Sequence, residues 1–307
     1  MTTFLGAPAV ALDALDALEA DGRTVAILGI PHGVAYPDPG LTAGCALAPA
    51  AIRGRSARMA AFVDHHDFDL DGPMLPDGSD LRLIDLGDVP GSPDDDAGNQ
   101  ERAEAAIRAA LAAGVVPVVL GGDDSIPIPV LRGYADHGPL WVIQLDAHLD
   151  FRHEVDGIRE GYSSPMRRAA ELPHVAGIVQ VGLRGVGSAR TGDVADARAA
   201  GNRLVTVREL RERGVAWLVE QLPADATVFV AFDCDSLDPS VMPAVSGLSP
   251  GGLSYDEAGD LLAAVAARCR VAGASFTELV PTRDMNDRSA LVVVRLITRL
   301  IGGVARR

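Results

Sequence analysis

Lysine is missing from this sequence of 307 residues: all 27 basic side chains are arginine. A Walker-type phosphate loop needs its lysine, and a pyridoxal enzyme needs one for its Schiff base, so both classes are excluded. Aromatic residues make up only 4%, which leaves Val, Leu, Ile and Ala to build the core. The three cysteines, Cys45, Cys234 and Cys269, are far apart and form no CxxC pair. Neither a disulfide framework nor a zinc knuckle is indicated, and a reducing cytoplasm fits. The first residues, MTTFLGAPAVALDALDALEADG, are acidic and lack a basic n-region, so they do not read as a signal peptide. No apolar run reaches membrane-spanning length, and no membrane partner is expected. The formal net charge is −15. No basic face is available for nucleic acid; an acidic balance fits a solvated surface, cationic ligands or metal ions.

The remaining composition, 48% hydrophobic and 22% charged, is that of a globular chain able to bury a sizeable core. Its length fits one large α/β domain covering residues 1–307. Seven apolar runs read as strands: 24–30, 81–87, 114–122, 139–145, 177–183, 227–232 and 271–279. They are rich in Val and Ile and mostly do not alternate, as in strands covered on both faces. Apolar spacing near 3.6 with acidic first turns predicts helices over 97–114 and 254–269, and a last helix over about 287–301. Strand–helix alternation implies a three-layer α/β/α fold around a central, mainly parallel sheet. GLRGVGS (182–188) has G-x-x-G-x-G spacing and reads as a tight turn, not a dinucleotide loop.

The acidic clusters all follow apolar strands. VVLGGDDS places Asp123 and Asp124 after one, VIQLDAHLD places Asp146, His148 and Asp150 after another, and VFVAFDCDSLDP places Asp233 and Asp235 after a third. In an open parallel sheet, ligands bind beyond these carboxyl ends. Residues two apart on an extended segment share a face, so Asp146 pairs with His148 and Asp233 with Asp235. Converging carboxylates repel one another and lose hydration. A pair of divalent cations, holding a water between them as nucleophile, is the simplest remedy.

GGDDS, DAHLD and FDCDSLDP resemble the three signature motifs of the ureohydrolases: arginase, agmatinase and relatives. The likeness extends over GIPHGVAYPDPGLTAGCALAPAAIR (29–53), LIDLGDV (83–89), SGLSPGGLSYDEA (246–258) and SFTELVPTRD (275–284). It is nearest to agmatinase-like and guanidino-acid hydrolases. The resemblance implies an arginase/deacetylase-like fold with two manganese ions, nickel in some relatives. Asp146 and Asp233 would bridge the metals, Asp150 would complete one site, and His148 with Asp235 the other. Glu278 would accept the substrate guanidinium, and Asp238 would cap the turn before Pro239. Homotrimers or homohexamers are common in the family.

Two positions depart from that pattern. GGDD stands where the family has GGDH, so the first site would be Asp124, Asp146, Asp150 and Asp233, all oxygen. Such a set suits Mn²⁺ or Mg²⁺. The added negative charge points to a higher pH optimum, weak occupancy of that site or a different metal. Tyr162, in GYSSPMRRA, falls where many relatives carry a proton-shuttling His; His153 on the same loop is a substitute.

The leading expectation is a metal-dependent amidinohydrolase that cleaves a guanidino C–N bond, with Asp150, Glu278, Tyr162 and His153 as catalytic residues. Its substrate would be a small cationic guanidino compound, its tail read by loops 32–44 and 151–165. Arg152 and Arg159 would take a carboxylate tail; Glu154, Asp156 and Glu160 would take an ammonium. His32 is a candidate for the pocket mouth. Two other readings stand beside it: an amide or formimino hydrolase on the same fold, and a non-catalytic, metal-poor paralogue acting as structural subunit of a hetero-oligomer.

Overall fold

Strands and helices alternate along nearly the whole chain in the computed structural model, which describes residues 2–18, 22–34, 36, 40 and 42–307. The strands are β1 (Thr24–Ile30), β2 (Arg82–Asp88), β3 (Val115–Gly121), β4 (Leu140–Leu145), β5 (Val175–Leu183), β6 (Arg203–Thr206), β7 (Thr227–Asp233) and β8 (Arg270–Thr277). They form one sheet in the order β2-β1-β3-β8-β7-β4-β5-β6, and every pairing between them is parallel. The seven expected strands are present. β6 was not anticipated, because Arg203–Thr206 is a four-residue edge strand with a single buried side chain.

Both faces of the sheet are covered. Val25 and Ile27 of β1 point into one apolar layer, and Ala26, Leu28 and Ile30 into the other, as the two-residue period of a strand requires. The first layer is packed by α1 (Ala48–Ser56), α6 (Val207–Val219), α7 (Tyr255–Arg268) and α8 (Arg288–Ala305). The second is packed by α2 (Asp96–Ala112), α3 (Pro127–Arg132), α4 (Pro165–Ala170) and α5 (Thr191–Ala199). This is the three-layer arrangement expected from the alternation of apolar runs.

The helices follow from their residues. α8 buries Val293, Val294, Ile297, Leu300 and Ile301 along one stripe, each contributing about 1.5–3 kcal/mol. It runs past its expected end through Gly302, where a Cβ would come within 2.6 Å of Leu70. α7 begins with a capping box: the Ser254 hydroxyl accepts the Glu257 amide, and Glu257 accepts the Ser254 amide. α1 is fixed to β2 by Arg53, buried and bidentate on Asp85 at 2.8 and 2.9 Å, with a further bond to Asp88. Among the described residues, no helix is long and apolar enough to cross a membrane.

Candidate metal centre

The four strands at the middle of the sheet, β3, β8, β7 and β4, lie side by side. Each delivers acids at its carboxyl end: Asp123 and Asp124 after β3, Glu278 after β8, Asp233 and Asp235 at β7, and Asp146, His148 and Asp150 after β4. Adjacent strands are about 4.8 Å apart, so the four tips lie within about 15 Å. The five aspartates named for metal or proton chemistry, Asp124, Asp146, Asp150, Asp233 and Asp235, are buried, and so are their neighbour Asp123 and Glu278.

Backbone amides and short side chains aim these groups. The Asp146 carboxylate accepts the His148 amide at 2.6 Å, and Asp233 accepts that of Asp235 at 2.7 Å. Asp235 accepts the Ala147 amide at 3.1 Å, and its other oxygen lies 3.0 Å from His148 Nδ1. The Thr277 hydroxyl donates to Asp124 Oδ1 at 2.6 Å. Glu278 Oε1 accepts the Asp124 amide at 2.9 Å. Asp150 and Glu278 both hold positive φ, 45° and 67°. Aspartate tolerates such a φ and recurs there at Asp71, Asp156, Asp225 and Asp287, whereas a glutamate rarely adopts it.

Two groups of donor atoms converge, each within 4.8 Å: Asp124, Asp146 and Asp233, and Asp146, His148 and Asp235. Asp146 belongs to both. Burial raises the carboxyls of Asp124, Asp146 and Asp233 well above their usual range, and neighbouring acids, Asp150 for the first and Asp235 for the other two, push them further. Asp150 is raised in the same way by burial and by Asp146. Glu278 is pushed up to about 7 by burial and Asp123. Burial works against the charged His148 ring, but its bond to Asp235 prevails and lifts it to about 9.

Asp124 Oδ2 is buried and has no hydrogen-bond partner. A bare acceptor in such a place costs about 1–3 kcal/mol, and a cation removes that cost. The residues therefore fit a pair of divalent cations, with Asp124, Asp146 and Asp233 able to hold one and Asp146, His148 and Asp235 the other. Asp150 lies outside both groups. It accepts Gln144 Nε2 at 3.2 Å and lines the cavity above them.

The structure reveals a support that the sequence reading missed. Asn202 donates to Gln180 Oε1 at 2.9 Å, Gln180 donates to Gln144 Oε1 at 2.6 Å, and Gln144 donates to Asp146 at 2.6 Å. Gln144 and Gln180 are fully buried and paired in register between β4 and β5. The signal was a lone glutamine inside each of two apolar runs, VIQL and IVQV.

The cavity over these groups has a volume of about 230 Å³. Besides the acids and His148, its walls include Tyr162, Thr42, Ser188, Ser246 and Gly247. Tyr162 packs edge-on against Tyr36, 4.4 Å between ring centres, and Tyr36 Oη accepts the Ser163 amide. Other candidates are not brought here. His153 is exposed and outside the cavity wall. Arg152 is turned away onto the carbonyls of Ser188 and Glu154 and toward Asp193. Arg159, with Glu160, lines a separate cleft beside Asp96 and Glu104. His32 lies against Gly91. Asp238 accepts the amides of Ser240, Gly251 and Gly252 and serves as a turn anchor. Of the 32–44 loop, residues 35, 37–39 and 41 lie outside the described residues.

A parallel α/β sheet with acids gathered over its central strand tips defines an α/β protein with a candidate cation-binding edge. The chain belongs to the arginase family, whose model matches residues 23–302. It is 30% identical over 294 residues to proclavaminate amidinohydrolase of Streptomyces clavuligerus, covering 93% of this chain and 89% of the relative. It is 31% identical over 290 residues to guanidinopropionase of Pseudomonas aeruginosa, covering 90% and 85%. The solved proclavaminate amidino hydrolase superposes with a TM-score of 0.81 at 26% identity, covering 100% of this chain and 97% of that one.

Proposed function

We propose that this arginase-family hydrolase cleaves the C–N bond of a guanidino compound, releasing urea and an amine. The observation that carries the reading is Glu278: a buried carboxylate, fixed by the Asp124 amide, facing the same cavity as both ligand groups. A planar cation with paired N–H donors is the natural complement of such a carboxylate. Guanidino chemistry also agrees with the names of the relatives matched over most of their length.

Two divalent cations held by Asp124, Asp146, Asp233, His148 and Asp235 would supply Lewis acidity, making water acidic enough to be a nucleophile near neutral pH. The chain's own residues do the rest. Glu278 receives the guanidinium and fixes the orientation of its carbon. Asp150 Oδ2, braced by Gln144, accepts the proton of the attacking water. Tyr162 lines one wall of the cavity, its hydroxyl gives a proton to the leaving nitrogen as the C–N bond breaks, and the proton held on Asp150 restores that hydroxyl. In this reading the metal is Mn²⁺, the assembly a homotrimer or homohexamer, and the compartment the cytoplasm.

The test is urea release from a panel of guanidino compounds by protein loaded with Mn²⁺ or Ni²⁺, with metal content and light scattering measured on the same sample. Silence across the panel from folded, loaded protein would overturn the reading.

A further inference from the structure

The two carboxylate oxygens of Asp124 are treated differently. Oδ1 accepts the Thr277 hydroxyl at 2.6 Å. Oδ2 is buried and meets no hydrogen-bond partner among the described residues. Protonation does not resolve this. A proton on Oδ2 would be a buried donor with nothing to receive it, and an ionised carboxylate leaves a bare acceptor there. The oxygen that Thr277 leaves free is the one open to a cation.

The sheet holds Thr277 in place for this. It is the last residue of β8, fully buried, and in register with Asp233 at the tip of β7. It lies one place beyond the pairing of Leu120 with Phe276, which sets it beside Gly121 of β3. A Cβ on Gly121 would come within 2.7 Å of Thr277 Cγ2 and 3.2 Å of the Phe276 carbonyl, so a side chain there would displace Thr277 from between the two strand tips. Its hydroxyl also lies 3.3 Å from the Phe232 carbonyl, but it has one proton to give, and the shorter bond is the one to the carboxylate. A β-branched side chain is stiff at χ1, which keeps the hydroxyl on Asp124.

The group formed by Asp124, Asp146 and Asp233 offers oxygen alone, and oxygen ligands suit Mn²⁺ and Ca²⁺ alike. The number of oxygens each carboxylate can bring is what remains to tell them apart, because Ca²⁺ takes more ligands and readily grips a carboxylate through both atoms. We infer that Thr277 is a positioning residue that makes Asp124 a one-oxygen ligand and thereby turns this group toward Mn²⁺ and against Ca²⁺. The inference rests on the metal reading above and on no choice of substrate.

The experiment titrates the chelated full chain with Mn²⁺ and with Ca²⁺ by calorimetry, in the parent, Thr277→Val and Thr277→Ser. The parent should prefer Mn²⁺. Thr277→Val deletes the donor, and its Mn²⁺ affinity should fall by about tenfold to 100-fold, with the Mn²⁺-to-Ca²⁺ ratio falling by about tenfold or more. Thr277→Ser keeps the hydroxyl and should keep the parent's ratio. A Val variant with the parent's ratio overturns the inference, since simple destabilisation weakens both cations alike. A Ser variant that loses the ratio overturns it too, because packing of the methyl would then be the cause. Should Thr277→Val not fold, Thr277→Ala decides by the same two outcomes. A parent that binds both cations equally overturns the inference and leaves the metal reading standing; a parent that binds neither removes both.

Discussion

Glu278 Oε1 lies 2.9 Å from the backbone nitrogen of Asp124, so the carboxylate assigned to the guanidinium is anchored by the residue that begins the first ligand group. Glu278→Gln keeps the shape and the anchor but removes the charge. A charge-assisted bond of about 1.5–3 kcal/mol is lost, which predicts a fall in kcat/KM of about tenfold to 150-fold. Bound metal should stay unchanged. Steady-state urea release beside metal analysis checks this.

Asp124→His replaces an oxygen donor by nitrogen in the group formed with Asp146 and Asp233. Imidazole favours nickel and zinc over manganese relative to carboxylate. The variant should therefore retain a higher nickel-to-manganese ratio than the parent after equilibration with equal amounts of both. Elemental analysis of the two proteins, dialysed together, gives the ratio.

Gln144→Leu cuts the amide chain between Gln180 and Asp146. The variant removes the Gln144 donor from the buried carboxylates of Asp146 and Asp150 and one of the two acceptors of Gln180 Nε2, which keeps Leu149 O, costing about 1–3 kcal/mol of stability. Because Gln144 braces a ligand, metal affinity should also fall by about tenfold to 100-fold. Calorimetric metal titration distinguishes this from simple destabilisation, which would lower the melting temperature and leave the affinity alone.

Chelated protein should lose stability as pH rises from 5 to 9. Glu278 has its folded-state carboxyl raised to about 7, so its contribution is complete below the ordinary Glu value of about 4.3 and is lost as pH climbs through 7. The raised carboxyls of Asp124, Asp146, Asp150 and Asp233 act with the same sign. His148, lifted to about 9, contributes fully below about 6.5 and loses that contribution through 9. Metal loading reverses the preference, since ligands bind cations in their deprotonated forms. Calorimetric melting at several pH values, with and without chelator, should show two slopes of different sign or size. A chelated sample whose melting temperature rises with pH would contradict the buried-acid account.

Much of this molecule was legible in one dimension. Apolar runs covered on both faces announced the strands, and D-x-H and D-x-D after such runs placed Asp146, His148, Asp233 and Asp235 on common faces, because side-chain direction has a period of two. The helix expected over 254–269 from its apolar spacing and acidic first turn is α7, Tyr255–Arg268. β6 escaped notice because four residues with one buried side chain carry no periodic signal.

The order of strands was not legible, and it decides the site. Asp124 and Glu278 are 154 positions apart and meet because β3 pairs with β8, while β7 and β4 continue the row. The amide chain from Asn202 to Asp146 likewise depends on Gln144 and Gln180 falling in register. Arg152, Arg159 and His153 share a loop with the motif in sequence, yet their donors are drawn to nearby carbonyls, to acids or to solvent. Sequence by itself determined which groups seek a cation. Only the tertiary structure decided which of them reach one cavity, because that follows from strand pairing and from competition among buried hydrogen-bond partners.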